Sequence, residues 1–269
     1  MTHTDHSSQS PDQKRHATYK DILLSESTVQ EQTYNTYGKW FVRLGQAIDI
    51  LLELCYYKCS LPEDQNSDEY RFILFARDSY YEVPLSFRSC SALMEKGLYH
   101  DSLNCCRSIL ENLVKYKYLL DHKDLIIAYE TDGKDSNGQK VTIKRAWEYV
   151  AGKDSQKTTY HFLSKFEHKN FGSGLPRLNA SMSSASTFSL LPAFNKTLAE
   201  VVIINILFLI FGYINLAERF FPYEKPIDQA DFFDNYSDIK SFLHQQIQKK
   251  KIDFPQSTAW CEIMQKIIY

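Results

Sequence analysis

The chain has 269 residues, 43% of them hydrophobic and 14% aromatic, with only 9 Gly and 8 Pro. That is enough apolar material for a large core, and too little Gly and Pro for a turn-rich β-sandwich. A net charge of −2 and a pI near 6.4 exclude a global pull toward nucleic acid or anionic membrane, so an RNA contact would need a local patch.

The first sixteen residues are polar and expected to be disordered, and residues 17–269 are expected to form a single helical domain. A helix begins near Tyr19. Gly38–Cys59 reads as an amphipathic helix, because Trp40, Leu44, Ala47, Ile48, Leu51 and Cys55 keep helical spacing. Leu61–Asp68 is an acidic loop. Glu69–Lys96 is helical by pattern, and Pro84 predicts either two helices meeting near Val83 or one bent helix.

Gly97–Asp121 organises the rest. Leu98, Ser102, Cys106, Ile109, Leu110, Leu113, Tyr116, Lys117 and Leu120 recur every three or four residues and give a broad face for packing. Gly97 marks the boundary with the preceding helix. No Pro or Gly interrupts Leu98–Asp121, which at about 1.5 Å per residue spans roughly 36 Å. On the other side His100, Asn104, Arg107, Glu111 and Tyr118 share one sector. Arg107 and Glu111 are i,i+4 neighbours in the weaker order, and from these residues alone they read as an ordinary pair on a solvated face.

Beyond a short helix around Asp124–Glu130 lies a turn-rich stretch, Thr131–Gln139. Val141–Val150 is expected to be a helix with Ala146, Trp147 and Val150 inward. Ser155–Phe171 reads as another helix, followed by a Ser- and Gly-rich surface loop, Gly172–Thr187. The C-terminal helices occupy residues 192–269. Val201–Ala217 carries no charge but is short for a membrane span and contains Asn205 and Asn215, so a central buried helix is expected rather than a lipid contact. Asp228–Lys251 is helical, with Phe232, Phe233, Tyr236, Ile239, Leu243 and Ile247 inward. Its basic end, Lys249–Lys251, suits the helix C-terminus, and RNA is the sharper alternative. Ser257–Ile268 reads as a last short helix. The fold class is all-α, a multi-helix bundle.

Six cysteines are present, at 55, 59, 90, 105, 106 and 261, and none forms a CxxC. With no apolar signal segment, reduced buried thiols in a cytoplasmic protein are expected. Cys55 and Cys59 are one turn apart but lack a second close Cys or His pair. No metal or other cofactor is expected.

Tyr160, Ser164 and His168 recur every four residues on one helix face, in the pattern Y-x2-L-S-x3-H. A buried face of that kind needs hydrogen-bond partners, which Arg107 and Glu111 can supply. The Gly97–Leu120 stretch with R-x3-E, followed by that motif, resembles a bacterial helical family catalogued as domain of unknown function 5677. The matching residues are Gly97, Arg107–Glu111, Tyr118–Leu120 and Leu163–His168. The resemblance implies an all-helical fold and an internal polar seam, and brings no established activity.

Two functions follow as expectations. One is a non-catalytic sensing or protein-interaction module in which Arg107, Glu111, Tyr160, Ser164 and His168 form an internal network, with His100 beside it. The other is a metal-independent endoribonuclease of a toxin or phage-defence system, by looser similarity to HEPN proteins. There His168 would take the 2′-hydroxyl proton, Arg107 would stabilise the phosphorane, Glu111 would orient Arg107, and Tyr160 or Ser164 would hold substrate or imidazole. No Arg–His pair here has the usual same-helix spacing of that group. The partner classes left open are RNA, a protein and a second copy of the chain.

Overall fold

A computed structural model describes residues 18–57, 63–122, 125–126, 134, 138–153, 191–220 and 230–253. The expected tail at 1–16, the Ser155–Phe171 helix, the Gly172–Thr187 loop and the Ser257–Ile268 helix lie outside these. Among the described residues there are six helices and no strand: α1 (Tyr19–Tyr57), α2 (Asp68–Glu95), α3 (Tyr99–Asp121), α4 (Ile143–Ala151), α5 (Lys196–Phe220) and α6 (Ala230–Asp253). One isolated bridge joins Lys134 and Lys140 in the turn-rich stretch. The fold is all-α, as the periodicity predicts.

The two helices expected before residue 60 run together as α1. A kink at Tyr37 (φ −125°, ψ 15°), just before Gly38, separates their axes. Ser67 starts α2: its Oγ accepts from the Tyr70 amide at 3.1 Å, and Asp68 and Glu69 complement the helix dipole. Of the two outcomes expected at Pro84, a single helix is found. Tyr80 and Phe87 are fully buried and Val83 nearly so, so packing on both sides outweighs the local loss of one amide donor.

Gly97 closes α2 with a Schellman turn. Its amide donates to the Met94 carbonyl at 3.0 Å, and the Leu98 amide reaches the Leu93 carbonyl at 2.9 Å. The turn needs φ +78° at Gly97, and a Cβ there would stand 3.0 Å from Val29 Cγ1 and 3.3 Å from the Ala193 carbonyl. α2 and α3 therefore form a tight helical hairpin.

α3 packs against α2, α4 and α5, and α5 also packs against α1, α2 and α6. α5 is long and apolar enough to cross a membrane, but 83% of its apolar window is buried inside the bundle, as in the core helix of a soluble protein. Within it, Asn205 donates to the Val201 carbonyl of its own helix at 2.8 Å, while its buried Oδ1 has no partner among the described residues. Asn215 is half-buried. In α6, Tyr236, Ile239, Leu243 and Ile247 are buried as their spacing predicts, and Asp238 pairs with Arg43 of α1. Lys249 is exposed on the last turns of α6.

Candidate functional site: the polar seam of α3

The sector of α3 read from sequence as solvated is largely enclosed. Tyr118 is only 3% exposed and Arg107 only 9%, while His100, Asn104 and Glu111 are half-buried. The ordinary-surface-pair expectation for Arg107 and Glu111 is thus corrected. Its physical reason is that neighbours flank α3 on more than its apolar face. One helix's own pattern cannot reveal that.

Arg107 Nε donates to Glu111 Oε1 at 2.9 Å. With the two side chains 11% and 24% exposed, water screens the pair far less than it would on an open surface. One turn toward the N-terminus, Asn104 Nδ2 lies 3.3 Å from His100 Nδ1, which requires the imidazole proton on Nε2. Asn104 Oδ1 is buried and has no hydrogen-bond partner among the described residues. His100 Nδ1 also lies 4.0 Å from the exposed Asp101 carboxylate. The seam is thus a row of His, Asn, Arg and Glu at helical spacing, joined in two i,i+4 pairs, His100–Asn104 and Arg107–Glu111. Tyr160, Ser164 and His168, the other half of the expected constellation, lie outside the described residues.

Tyr118 belongs to a different cluster. The His122 ring lies 4.5 Å from the Tyr118 ring and 4.7 Å from that of Tyr149 in α4, and its Nδ1 is 2.9 Å from the Tyr118 carbonyl. The Arg145 guanidinium sits 5.8 Å from the Tyr118 ring centre. This cluster fastens the end of α3 to α4.

Two further groupings escaped the sequence reading. Glu95, at the end of α2 and 3% exposed, accepts four hydrogen bonds. Ser91 and Arg88 reach Oε1 at 2.9 and 3.1 Å; Tyr34 and Gln30 of α1 reach Oε2 at 3.0 and 3.4 Å. Burial, then the bonded Glu95 carboxylate, holds the Tyr34 hydroxyl above its usual range, so it stays a donor. The local signal was the run Arg88, Ser91, Glu95, which stacks polar groups at helical spacing along α2.

The second grouping is three thiols. Cys106 Sγ of α3 lies 3.9 Å from Cys90 Sγ of α2, and Cys105 stands beside Cys106 in the chain. Cys90 and Cys106 are buried and Cys105 is half-buried. Ser102 Oγ donates to the Cys90 carbonyl at 2.7 Å and locks the same crossing. The signal available in sequence was the near-equal distance of Cys90 and of Cys105–Cys106 from the Gly97 turn.

Among the described residues, no group of three or more His, Cys, Asp or Glu side chains has the arrangement of a metal site. Comparison with family models, curated proteins and solved structures returns no match to this chain.

Proposed function

We propose that the chain is a cytoplasmic, non-catalytic helical module whose α3 polar seam is internal and fixes helix packing, and which works by sensing or by binding a protein partner. Kinship with domain of unknown function 5677 is part of this proposal. One observation carries it: Arg107, the cation on which ribonuclease chemistry would depend, is 9% exposed and bonded through Nε to Glu111. A phosphorane-stabilising arginine has to present its donors to substrate, and enclosure among packed helices opposes that. An internal arginine bonded to a carboxylate instead restricts the arrangements its helix can adopt.

The test is incubation of the purified full-length protein with fluorescent single-stranded RNA in chelator, with Arg107→Ala in parallel. The module reading expects no cleavage that depends on Arg107. Cleavage by the native protein that disappears in a stably folded Arg107→Ala would replace it with the HEPN-like ribonuclease reading.

A further inference from the structure

We propose that the face formed by α4 and the end of α3 binds single-stranded nucleic acid, with the Tyr149 ring stacking on a base and the surrounding lysines and Arg145 holding phosphates. The proposal stands apart from the role of the polar seam. It supplies the local patch that the chain's overall charge requires of any such contact. Within residues 138–153 the charged side chains are Lys140, Lys144, Arg145 and Lys153 against Glu148 alone, in a chain with 31 Lys and Arg and 33 Asp and Glu. Lys140, Lys144 and Lys153 are exposed, and Glu148 lies 3.9 Å from Lys144. The end of α3 adds one exposed carboxylate, Asp121, and the half-buried His122 imidazole.

These cations are placed where they work against folding. Lys144 and Arg145 stand in the first turn of α4, where the helix dipole disfavours cations and no acidic residue offsets them. Lys134 and Lys140 face each other across the isolated antiparallel bridge, so their Cβ atoms are about 5 Å apart and their like charges repel. Lys140 precedes the Thr142 N-cap by two residues, so both arrangements gather at one end of α4. A row of phosphates there turns the repulsion into attraction.

The aromatic part selects among polyanions. Tyr149 is 52% exposed, yet its ring is held edge to face by Tyr118 at 5.3 Å and by His122 at 4.7 Å. Arg145 stands one turn earlier on the same face of α4. A half-open, fixed ring with a guanidinium and an imidazole nearby suits a planar, unpaired base. An acidic peptide would use the lysines and leave the ring idle. Among residues 138–153, Tyr149 is the one large apolar side chain that is exposed, which is too little for insertion into lipid.

The experiment titrates the full-length protein into fluorescent oligothymidylate of about 15 nucleotides and reads anisotropy. This probe has no 2′-hydroxyl, so binding is read apart from any ribonuclease activity. The expected result is saturable binding that weakens with salt and is competed by unlabelled single strand far better than by duplex. Tyr149→Ala should weaken it about fivefold or more, and Tyr149→Phe, which keeps the ring, should bind like the native protein. Lys140→Gln combined with Lys144→Gln should lower the salt slope by about 1.4. Circular dichroism checks the fold of each variant, and Lys144, 69% exposed, carries little of it. Absence of binding at low salt overturns the proposal. So does equal displacement by duplex, polyglutamate or phosphatidylserine vesicles, or native binding by a folded Tyr149→Ala or by the double lysine variant.

Discussion

The Tyr80 hydroxyl of α2 donates to the main-chain carbonyl of Tyr213 in α5 at 2.9 Å, and the two rings meet edge to face with centres 5.5 Å apart. The Tyr213 hydroxyl in turn donates to the Ile109 carbonyl of α3 at 3.3 Å. Three helices are thus linked through two fully buried phenols, and burial holds the Tyr213 hydroxyl well above the usual tyrosine range. Tyr80→Phe keeps the ring and removes one buried donor. Its cost should be about 1 kcal/mol in urea unfolding. Tyr213→Ala removes ring and bond together and should cost about 3–5 kcal/mol.

Gly97→Ala tests the hairpin. A left-handed backbone costs a residue with a Cβ about 1–2 kcal/mol. The contacts at 3.0 Å to Val29 and 3.3 Å to the Ala193 main chain add to it. Thermal unfolding should show a loss above that range. A neutral substitution would mean that the α2–α3 turn is not built as described.

Glu95 holds α1 to α2. Glu95→Ala leaves Ser91, Tyr34 and Gln30 without their shared acceptor and should cost about 1–3 kcal/mol by denaturant titration. Arg88→Ala should cost less than about 1 kcal/mol, because that side chain is 59% exposed and three other donors remain on the carboxylate. The reverse order would contradict a hub centred on the carboxylate.

Glu53 gives a pH dependence of defined sign. Burial first, and then the neighbouring Asp49 carboxylate, raise its proton affinity in the folded chain above the ordinary glutamate value. The folded state therefore binds this proton more tightly than the unfolded state does. The resulting stabilisation is present at acid pH and is lost as pH rises through the raised value. Glu53→Gln should raise stability at neutral pH by about 0.5 kcal/mol, the scale of a relieved i,i+4 repulsion. The difference should vanish on acidification, as melting curves at a series of pH values will report.

What the sequence made legible is what each helix settles by itself. Leu44, Ala47 and Leu51, or Tyr236, Ile239 and Leu243, mark their buried faces by spacing alone, and all six are buried. What it hid depends on distant parts of the chain. The donors to Glu95 come partly from Gln30 and Tyr34, far upstream, and no local pattern pairs them. Pro84 was ambiguous because its local penalty is small beside the packing of Tyr80 and Phe87. Arg107 looked like a surface residue because its helix is amphipathic on its own, and only the neighbours enclose it.

That enclosure is the central claim, and the stability of Arg107→Ala tests it most directly. Urea unfolding of the purified full-length variant should show a loss of about 1–3 kcal/mol, because a buried charge-assisted bond to Glu111 is removed. An unfolding free energy equal to that of the native protein would contradict the account and return Arg107 to the surface.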